Sequence, residues 1–378
     1  MRVLIVIPAF PLEIAAIKGG VNSALSNLLK GFSGIPIKIR VVSFNREIAK
    51  PVIKRYSDNI SIHYMPEGKL PHVLNFLFSG SVILKQHIKE FEPSILHYAM
   101  SGYILLSKFF KGNASIKQIV TIHGVPFAEA KTKINLKEKL VYYTNGIVET
   151  FFSPKNIIHI SSYSAGQYKN KNKTTTIIPN AVDPVYFTLP VKFGTNNKLI
   201  YIGSIEARKN LIHILKAVKV LMDKNIFFTL SILGGFTDEI YKKEVLGFIE
   251  NNNLKNVITL YGWTSQQEVQ TVLVQSDILV LSSFQETLPM VIAESMSAAK
   301  VVVCTAVGGV PEMINNEKDG FLFNSNNIDN IVFILEKLYH NDSLIRQIQL
   351  TARNRAVLNY HCEIVAKKTL QFYQSLQN

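Results

Sequence analysis

The stretch from residue 278 to residue 304 constrains the fold of this 378-residue chain more than any other part of the sequence. Its apolar runs at 278–281 and 301–303 are typical of buried strands. A polar loop and a helical pattern lie between them, and Pro289 suits the first helical position because its fixed φ is already helical. Strand, loop, helix and strand predict a βαβ unit, which binds ligands at the carboxyl ends of its strands.

Two glutamates lie in this unit, Glu286 in the loop and Glu294 one to two turns into the helix. The open amides at a helix start favour an anion, and phosphate above all. A surface glutamate followed by a helix-face glutamate would produce the same pair. The flanking strands, Pro289 and the sequence at 307–312 favour a binding site instead.

This arrangement resembles the retaining glycosyltransferases of family 4, whose mark is two glutamates separated by seven residues in this setting. The resemblance implies an α/β fold of the GT-B type, in which two Rossmann-like domains face each other across a cleft. It also implies that Glu286 binds hydroxyls of the transferred sugar and that Glu294 binds the ribose of the nucleotide.

Length and charge bear on domain count and partners. A chain of this length is longer than one hydrophobic core usually supports, which predicts two domains. The net charge of +14 is concentrated in residues 1–190, which hold 23 Lys and Arg against 10 Asp and Glu. This basic half favours an anionic membrane surface or an acidic polymer as a partner, with a solvated face as the alternative for any one lysine run. We expect no nucleic-acid partner, because no recognised binding motif is present.

The sequence also bears on the cellular compartment. Residues 1–8 contain too short an apolar core for a signal peptide, and the uncharged stretches are too short and too polar for a spanning helix. The two cysteines, Cys304 and Cys362, lack metal-ligand or redox spacing, which favours a reduced compartment. We therefore expect a cytoplasmic protein that is peripheral at the inner face of the plasma membrane.

The first half carries three candidate site residues. Gly19 and Gly20 precede a helical pattern, and glycines there let the backbone approach a phosphate, although an ordinary turn has the same composition. The resemblance implies that both face the donor diphosphate and the acceptor. His123 follows an apolar run; a structural histidine is the alternative, whereas the resemblance implies that it reaches the sugar or the acceptor.

The second half carries the basic candidates. The family pattern is Gly-Arg, a short loop and then Lys-Gly or Lys-Asn, whose basic side chains neutralise the donor diphosphate. Lys209 matches the second of these, whereas Ser204 stands in the place of the first. Arg208 is a further candidate, although its neighbouring position points it differently. A charged helix start is the alternative, but positive charge is unfavourable there unless an anion compensates it.

Two later loops fall where the resemblance places the nucleotide base. One contains Gly234 and the other contains Trp263, the only tryptophan in the chain. We expect Trp263 to lie at the rim beside the base, with simple packing as the alternative.

Transfer of a sugar from a nucleoside diphosphate requires that the charge of the leaving diphosphate be stabilised. We expect Lys209 and the amides of Leu288, Met290 and Val291 to do this without a metal ion. A carboxylate such as Glu286 would stabilise an oxocarbenium-like sugar.

The predicted domains are an acceptor-binding domain at 1–188, a nucleotide-sugar-binding domain at 189–360, and a last helix at 361–378 that packs back on the first domain. The sequence at 178–183 resembles the characteristic end of the family's first domain, with Ala181 where glycine is usual. The proline- and glycine-containing stretch that follows is typical of a linker.

The family resemblance implies a retaining hexosyltransferase with His123, Lys209 and Glu286 as catalytic candidates. It would move a hexose or N-acetylhexosamine from a UDP- or GDP-sugar to a saccharide acceptor, lipid-linked, in bacterial surface-polysaccharide biosynthesis such as that of lipopolysaccharide. We expect no metal ion and no cofactor. The alternatives are a GT-B-fold sugar-nucleotide epimerase, a non-catalytic nucleotide-sugar-binding protein and a membrane-surface module. The feature that points to the binding protein is Ser204, which stands in the place of the family's arginine.

Overall fold

The computed structural model describes residues 1–13, 19–68, 75, 79–101, 104–105, 115–132, 135–168, 173–194, 197–325, 327–339 and 341–377. Within these residues the chain forms two compact units. The first unit comprises Met1–Ala181 and Cys362–Asn378, and the second comprises Val182–His361. The sequence pattern also predicts a helix at 70–91, and most of the first half of that range lies outside the described residues.

The first unit is built on an eight-stranded sheet with the order β3-β4-β2-β1-β5-β6-β7-β8. Every pairing is parallel except that of β3 with β4. The strands are β1 Arg2–Pro8, β2 Lys38–Asn45, β3 Val52–Ser57, β4 Ile60–Pro66, β5 Ile95–Tyr98, β6 Lys117–Ile122, β7 Asn156–His159 and β8 Thr174–Ile177. With helices numbered in chain order, those of this unit are α1 Gly20–Phe32, α2 Ser81–Phe91, α3 Pro126–Thr132, α4 Leu136–Phe152, α5 Ser162–Gly166 and α14 Cys362–Ser375.

The second unit is built on a six-stranded parallel sheet with the order β11-β10-β9-β12-β13-β14. Its strands are β9 Lys198–Ile202, β10 Thr229–Leu233, β11 Ile258–Gly262, β12 Ile278–Leu281, β13 Val301–Thr305 and β14 Phe321–Phe323. Its helices are α6 Val185–Thr188, α7 Leu211–Asp223, α8 Glu239–Asn251, α9 Gln266–Gln275, α10 Met290–Ser297, α11 Val310–Met313, α12 Ile328–Tyr339 and α13 Asp342–Tyr360, with a 3₁₀ turn at Ala207–Lys209.

The strands form where continuous apolar runs can be buried on both faces of a parallel sheet. Strands β1, β12 and β13 are buried along almost their whole length. Strand β3 was missed from the sequence, because its Lys54 and Arg55 interrupt the apolar pattern. Both side chains are exposed, and an edge strand tolerates them because only one of its sides pairs with a neighbour.

The last helix, α14, belongs to the core of the first unit. Its Val365, Ala366 and Tyr373 are buried in the same cluster as Leu29 and Phe32 of α1. The helix, Cys362–Ser375, lies within the range 361–378 predicted for it.

A buried hydrogen-bonded chain also ties α14 to the sheet. The Tyr373 hydroxyl lies 2.6 Å from Nδ1 of His97, and Nε2 of His97 lies 2.8 Å from the Thr121 hydroxyl. Burial lowers the pKa of His97 to about 3, so this histidine is neutral and structural.

The structure divides the chain earlier than the predicted residue 188. The amide of Val182 donates to the Tyr360 carbonyl at 2.8 Å, and both Val182 and Tyr186 are buried in the core of the second unit. The chain re-enters the first unit after His361, rather than after the predicted residue 360. Contacts between residues far apart in sequence therefore set the boundary, and the linker-like composition begins only after it.

Replacing Gly31 tests the contact between α1 and α14. A Cβ at Gly31 would lie 2.2 Å from the Cys362 carbonyl oxygen, which is backbone and cannot move aside cheaply. We expect Gly31→Ala to lower the free energy of unfolding of the first unit by about 1 to 3 kcal/mol, measured by chemical denaturation. Gly166→Ala is the matched control, because a Cβ there meets nothing within 4 Å; equal effects of the two variants would contradict the packing described.

Candidate active site

The strand order of the second unit places its candidate site. Strands β9 and β12 are neighbours at the centre of the sheet, and the chain proceeds outward from them in opposite directions. This is the topological switch point of a Rossmann-like sheet, where the loops that follow the two central strands diverge and leave a crevice for a ligand. The loop after β9 contains Ser204 to Asn210, and the loop after β12 contains Ser282 to Pro289.

The two loops are hydrogen-bonded to each other. The hydroxyl of Ser282 donates to the Asn210 carbonyl at 2.6 Å, and the amide of Phe284 donates to the Arg208 carbonyl at 2.8 Å. The Thr305 hydroxyl holds the second loop from its other side, by donating to the Ser283 carbonyl at 2.7 Å. The side chains that the loops carry are therefore held in a fixed relation.

The carboxylate of Glu286 is the meeting point of these side chains. Its Oε1 accepts from Nζ of Lys209 at 2.5 Å and from the Ser283 hydroxyl at 2.7 Å. Its Oε2 lies 3.8 Å from Nη1 of Arg208. Glu286 is buried, and the Lys209 and Arg208 side chains are mostly buried, so water screens these charges less than it would at an exposed surface.

Arg208 turns toward the same loop as Lys209. Its guanidinium donates to the Gln285 carbonyl and to Oε1 of Glu206, both at 2.8 Å. Glu206 in turn lies 3.4 Å from the Ser204 hydroxyl. The structure therefore brings Arg208 beside Glu286, although its position in sequence suggested a different direction. Glu206 was missed, because a lone loop glutamate carries no signal in the sequence.

Gly308 is a second residue that supports the site, within the 307–312 stretch whose sequence favoured a binding site without singling it out. Its φ is +56°, and a Cβ there would lie 1.7 Å from the Glu286 carbonyl oxygen. The amide of Gly309 donates to that same carbonyl at 3.2 Å. The glycine pair at 308–309 therefore lets the backbone contact the Glu286 loop directly, and the pair itself was the available signal.

Helix α10 begins at Met290, with Pro289 as the residue before it rather than as its first helical residue. Met290 and Val291 form the first turn of this helix, and Leu288 precedes it in the loop. The first amides of any helix lack intrahelical acceptors, so these positions suit an anion. The amide of Ile292 already donates to the Pro289 carbonyl at 3.1 Å.

Glu294 lies on α10, one turn beyond its start, and is partly buried. Burial raises the pKa of Glu294 to about 7, and the charge of Asp183 acts in the same direction. Its carboxyl is therefore partly protonated near neutral pH, and it can both donate and accept hydrogen bonds.

Gly234 directly follows β10, and Trp263 directly follows β11. A Cβ at Gly234 would lie 1.8 Å from the Gly203 carbonyl oxygen, and the Gly234 φ of +140° also requires glycine. The Trp263 ring is 69% exposed and covers Gly235, where a Cβ would lie 2.1 Å from its Nε1. The exposed indole is compatible with the predicted place at a rim.

The other predicted site residues, Gly19, Gly20 and His123, lie in the first unit. Gly19 precedes α1 with a φ of +85°, and Gly20 is its first residue. Both glycines are exposed, and a Cβ at either would meet nothing within 4 Å. Local packing therefore does not require glycine at Gly20.

His123 directly follows β6 and lines a cavity of about 40 Å³ in the first unit, together with His97 and Asn180. Its Nε2 donates to the Ala99 carbonyl at 2.9 Å, which leaves Nδ1 as an acceptor. Burial lowers the pKa of His123 to about 4. The imidazole is therefore neutral at physiological pH and offers a hydrogen bond rather than a charge.

Among the residues that the structure describes, no three His, Cys, Asp or Glu side chains gather in a group that would hold a metal ion. Within the same residues, no helix has the length and apolar character needed to cross a bilayer.

Two family models match consecutive parts of the chain. The model of Glycosyltransferase Family 4 matches residues 18–186, and that of Glycosyl transferases group 1 matches residues 189–355. The chain belongs to this family of glycosyltransferases, as the paired glutamates indicated.

Relatives and solved structures agree with this assignment. An uncharacterised glycosyltransferase of Methanocaldococcus jannaschii is 26% identical over 329 residues, 86% of each chain. The UDP-Gal:alpha-D-GlcNAc-diphosphoundecaprenol alpha-1,3-galactosyltransferase of Escherichia coli is 23% identical over 74% of this chain and 75% of its own length. The structure of Anabaena HepE in complex with UDP superimposes with a TM-score of 0.75 at 15% identity, over 99% of this chain and 100% of that one. The predicted GT-B fold is confirmed.

Gly308→Ala tests the backbone contact beneath Glu286. We expect it to displace the Glu286 loop and to reduce sugar-nucleotide binding at least tenfold, because the carbonyl that its Cβ would strike is backbone. Isothermal titration with UDP-sugars measures this. Gly194→Ala is the matched control, because Gly194 also has a positive φ, but a Cβ there would make only ordinary van der Waals contacts. Unchanged binding by Gly308→Ala would contradict the proposed support.

Glu294 should make the stability of the second unit depend on pH. Its folded-state pKa of about 7 lies above the ordinary value of 4.5. The stability that this group contributes is therefore full below pH 4.5 and is lost as the pH rises through 7. We expect the loss to be on the order of 1 to 3 kcal/mol, and Glu294→Gln to abolish it.

Chemical denaturation of the second unit at several pH values measures this loss. Glu149→Gln is the control, because burial also raises the pKa of Glu149 to about 7, but in the first unit. An identical pH slope in the wild type and in Glu294→Gln would show that Glu294 does not titrate as described.

Proposed function

We propose that this glycosyltransferase moves a hexose or N-acetylhexosamine, with retention of anomeric configuration, from a nucleoside-diphosphate sugar to a saccharide acceptor that is lipid-linked. One observation carries the proposal: the side chains of Lys209 and Arg208 converge on the Glu286 carboxylate. They do so at the switch point of a parallel sheet, where such folds bind their ligands.

The two cations suit a leaving diphosphate. As the bond to the sugar breaks, negative charge accumulates on the diphosphate, and cations held in place beforehand stabilise it without reorganisation. Lys209 supplies one charge. Arg208, oriented by Glu206 and the Gln285 carbonyl, supplies the charge that Ser204 lacks. The first amides of α10, at Met290 and Val291, with that of Leu288, would add donors.

The two glutamates take different roles in the proposal. Glu286 would accept hydrogen bonds from hydroxyls of the sugar, and its charge would favour an oxocarbenium-like sugar in the transition state. Glu294 would accept hydrogen bonds from the ribose hydroxyls when it is ionised and could donate to them when it is protonated, because its pKa is raised to about 7. The Trp263 ring would border the base together with Gly234, whose amide donates to the Gly262 carbonyl next to Trp263 at 2.8 Å.

The first unit would contribute the acceptor side. Neutral His123 would hydrogen-bond a hydroxyl of the sugar or of the acceptor, and the exposed backbone at Gly19 and Gly20 would approach the donor phosphates. These assignments rest on the family resemblance together with the exposure of the glycines and the neutrality of the histidine.

Relatives support a uridine nucleotide and a lipid-linked acceptor. Anabaena HepE was solved with UDP, and the Escherichia coli relative acts on a diphosphoundecaprenol-linked sugar. A further relative is a putative colanic acid biosynthesis glycosyltransferase of Salmonella typhimurium. We propose UDP-sugars ahead of GDP-sugars, and a role in bacterial surface-polysaccharide biosynthesis at the inner face of the plasma membrane.

Lys209→Met is the direct test of diphosphate stabilisation. The variant keeps most of the side-chain length but removes the charge, so we expect kcat/KM for sugar transfer to fall about a hundredfold. A thermal-shift screen of UDP-, GDP- and ADP-sugars first identifies the donor, because a ligand that prefers the folded state raises stability. Acceptor-dependent release of the free nucleotide then measures turnover.

Lys219→Met is the matched control, because Lys219 is a lysine of the same unit whose partner is Asp223 on the surface. Full activity of Lys209→Met would contradict the proposal. Nucleotide release that ignores the acceptor would favour the epimerase, and donor binding with no turnover would favour the non-catalytic binding protein. Loss of turnover with a chelator would overturn the expected metal independence.

A further inference from the structure

Helix α4 of the first unit carries its large apolar side chains on the outside. Five of them recur at helical spacing along one face and are between 41% and 80% exposed. They form the α4 stripe, which consists of Leu136, Leu140, Tyr143, Ile147 and Phe151. At 1.5 Å per residue the stripe is about 22 Å long. A contiguous exposed apolar surface of this kind marks an interaction site.

The inward face of α4 explains why the stripe cannot turn to the core. The buried residues of the helix are Gly146 and Glu149. A Cβ at Gly146 would lie 2.6 Å from the Phe127 ring, so only glycine fits there. The Glu149 carboxylate accepts a hydrogen bond from the Tyr168 hydroxyl. A small residue and a hydrogen-bonded acid thus attach the helix to the protein, and the apolar side chains remain outside.

Lysines border the α4 stripe on both sides. On the helical wheel, Lys137 lies on one flank of the stripe and Lys139 on the other. Lys131, at the end of α3, and Lys155, just beyond α4, are exposed near the two ends of the helix. Among the described residues of α4, Glu138 is the one acidic residue that is exposed. The surroundings of the stripe are therefore basic.

We infer that α4 is the element through which the first unit binds an anionic bilayer. The helix would lie in the plane of the interface, with the α4 stripe among the upper acyl chains and the lysines at the lipid phosphates. The inference rests on the proposed function only in so far as a lipid-linked acceptor is presented at such a surface. Attachment by basic residues alone would be purely electrostatic. The α4 stripe adds an apolar surface that enters the lipid.

Charge favours a lipid surface over a second copy of this chain. If two copies paired through their stripes, the lysines on both flanks of each stripe would approach those of the other copy, and juxtaposed like charges are costly. An anionic bilayer offers negative lipid phosphates to the flanking lysines and apolar acyl chains to the α4 stripe between them.

The first test measures sedimentation with vesicles of equal parts phosphatidylglycerol and phosphatidylcholine, without any sugar nucleotide. We expect Leu140→Asp combined with Ile147→Asp to lower the vesicle partition coefficient at least tenfold. Ile240→Asp is the matched control, because Ile240 is 81% exposed on α8 of the second unit, and it should bind like the wild type. Unchanged binding by the double variant would overturn the inference.

The second test distinguishes insertion from electrostatic attachment. Both native cysteines are buried, so a polarity-sensitive fluorophore can be placed at Ile147→Cys alone, with Ile240→Cys as the control. We expect a blue shift on the anionic vesicles at Ile147→Cys only, and a shift that high salt weakens without abolishing it. A shift at neither position, or sedimentation that salt removes completely, would contradict insertion.

Two further measurements distinguish membrane binding by α4 from self-association through the α4 stripe and from the proposed function. Sedimentation velocity at rising protein concentration detects self-association; a dimer that the double variant dissociates, with no vesicle binding by the wild type, would assign the stripe to a second copy. Sugar transfer to a water-soluble acceptor should be equal in the double variant and the wild type. Vesicle binding without any turnover would refute the proposed function and leave the role of α4 intact.

Discussion

The ion pair between Lys209 and Glu286 is the interaction on which the candidate site depends. It joins the loops that follow the two central strands of the second sheet, and the bond from Phe284 to the Arg208 carbonyl joins the same loops through the backbone. Removing two charges from water is costly unless each is paired and hydrogen-bonded. Ser283 and Arg208 complete the surroundings of the carboxylate, so the site maintains opposite charges close together before any ligand arrives.

The fold was predictable wherever burial determined the pattern. Continuous apolar runs identified β12 and β13, because parallel strands are covered on both faces. The edge strand β3 was not predicted, because its exposed Lys54 and Arg55 interrupt any apolar alternation. The division between the units was predicted too late, because the backbone bond from Val182 to Tyr360 depends on residues far apart in sequence.

The candidate site was predictable in its motif residues and not in their supports. Glu286 and Lys209 were predicted from the family resemblance, and the structure places them in direct contact. The direction of Arg208 is set by Glu206 and by a carbonyl of the other loop, which no local pattern records. Helix α4 departs from the usual rule that apolar faces point inward. Such departures are expected where a surface has a function.

The return of α14 to the first unit has a consequence for synthesis on the ribosome. Residues 182–361 are continuous in the chain, so the second unit can complete its core as soon as they have emerged. The first unit begins earlier but needs Val365, Ala366 and Tyr373 beside α1, and these are translated after the whole second unit. Until α14 has emerged, the side of α1 that it covers in the folded protein stays exposed on the nascent first unit.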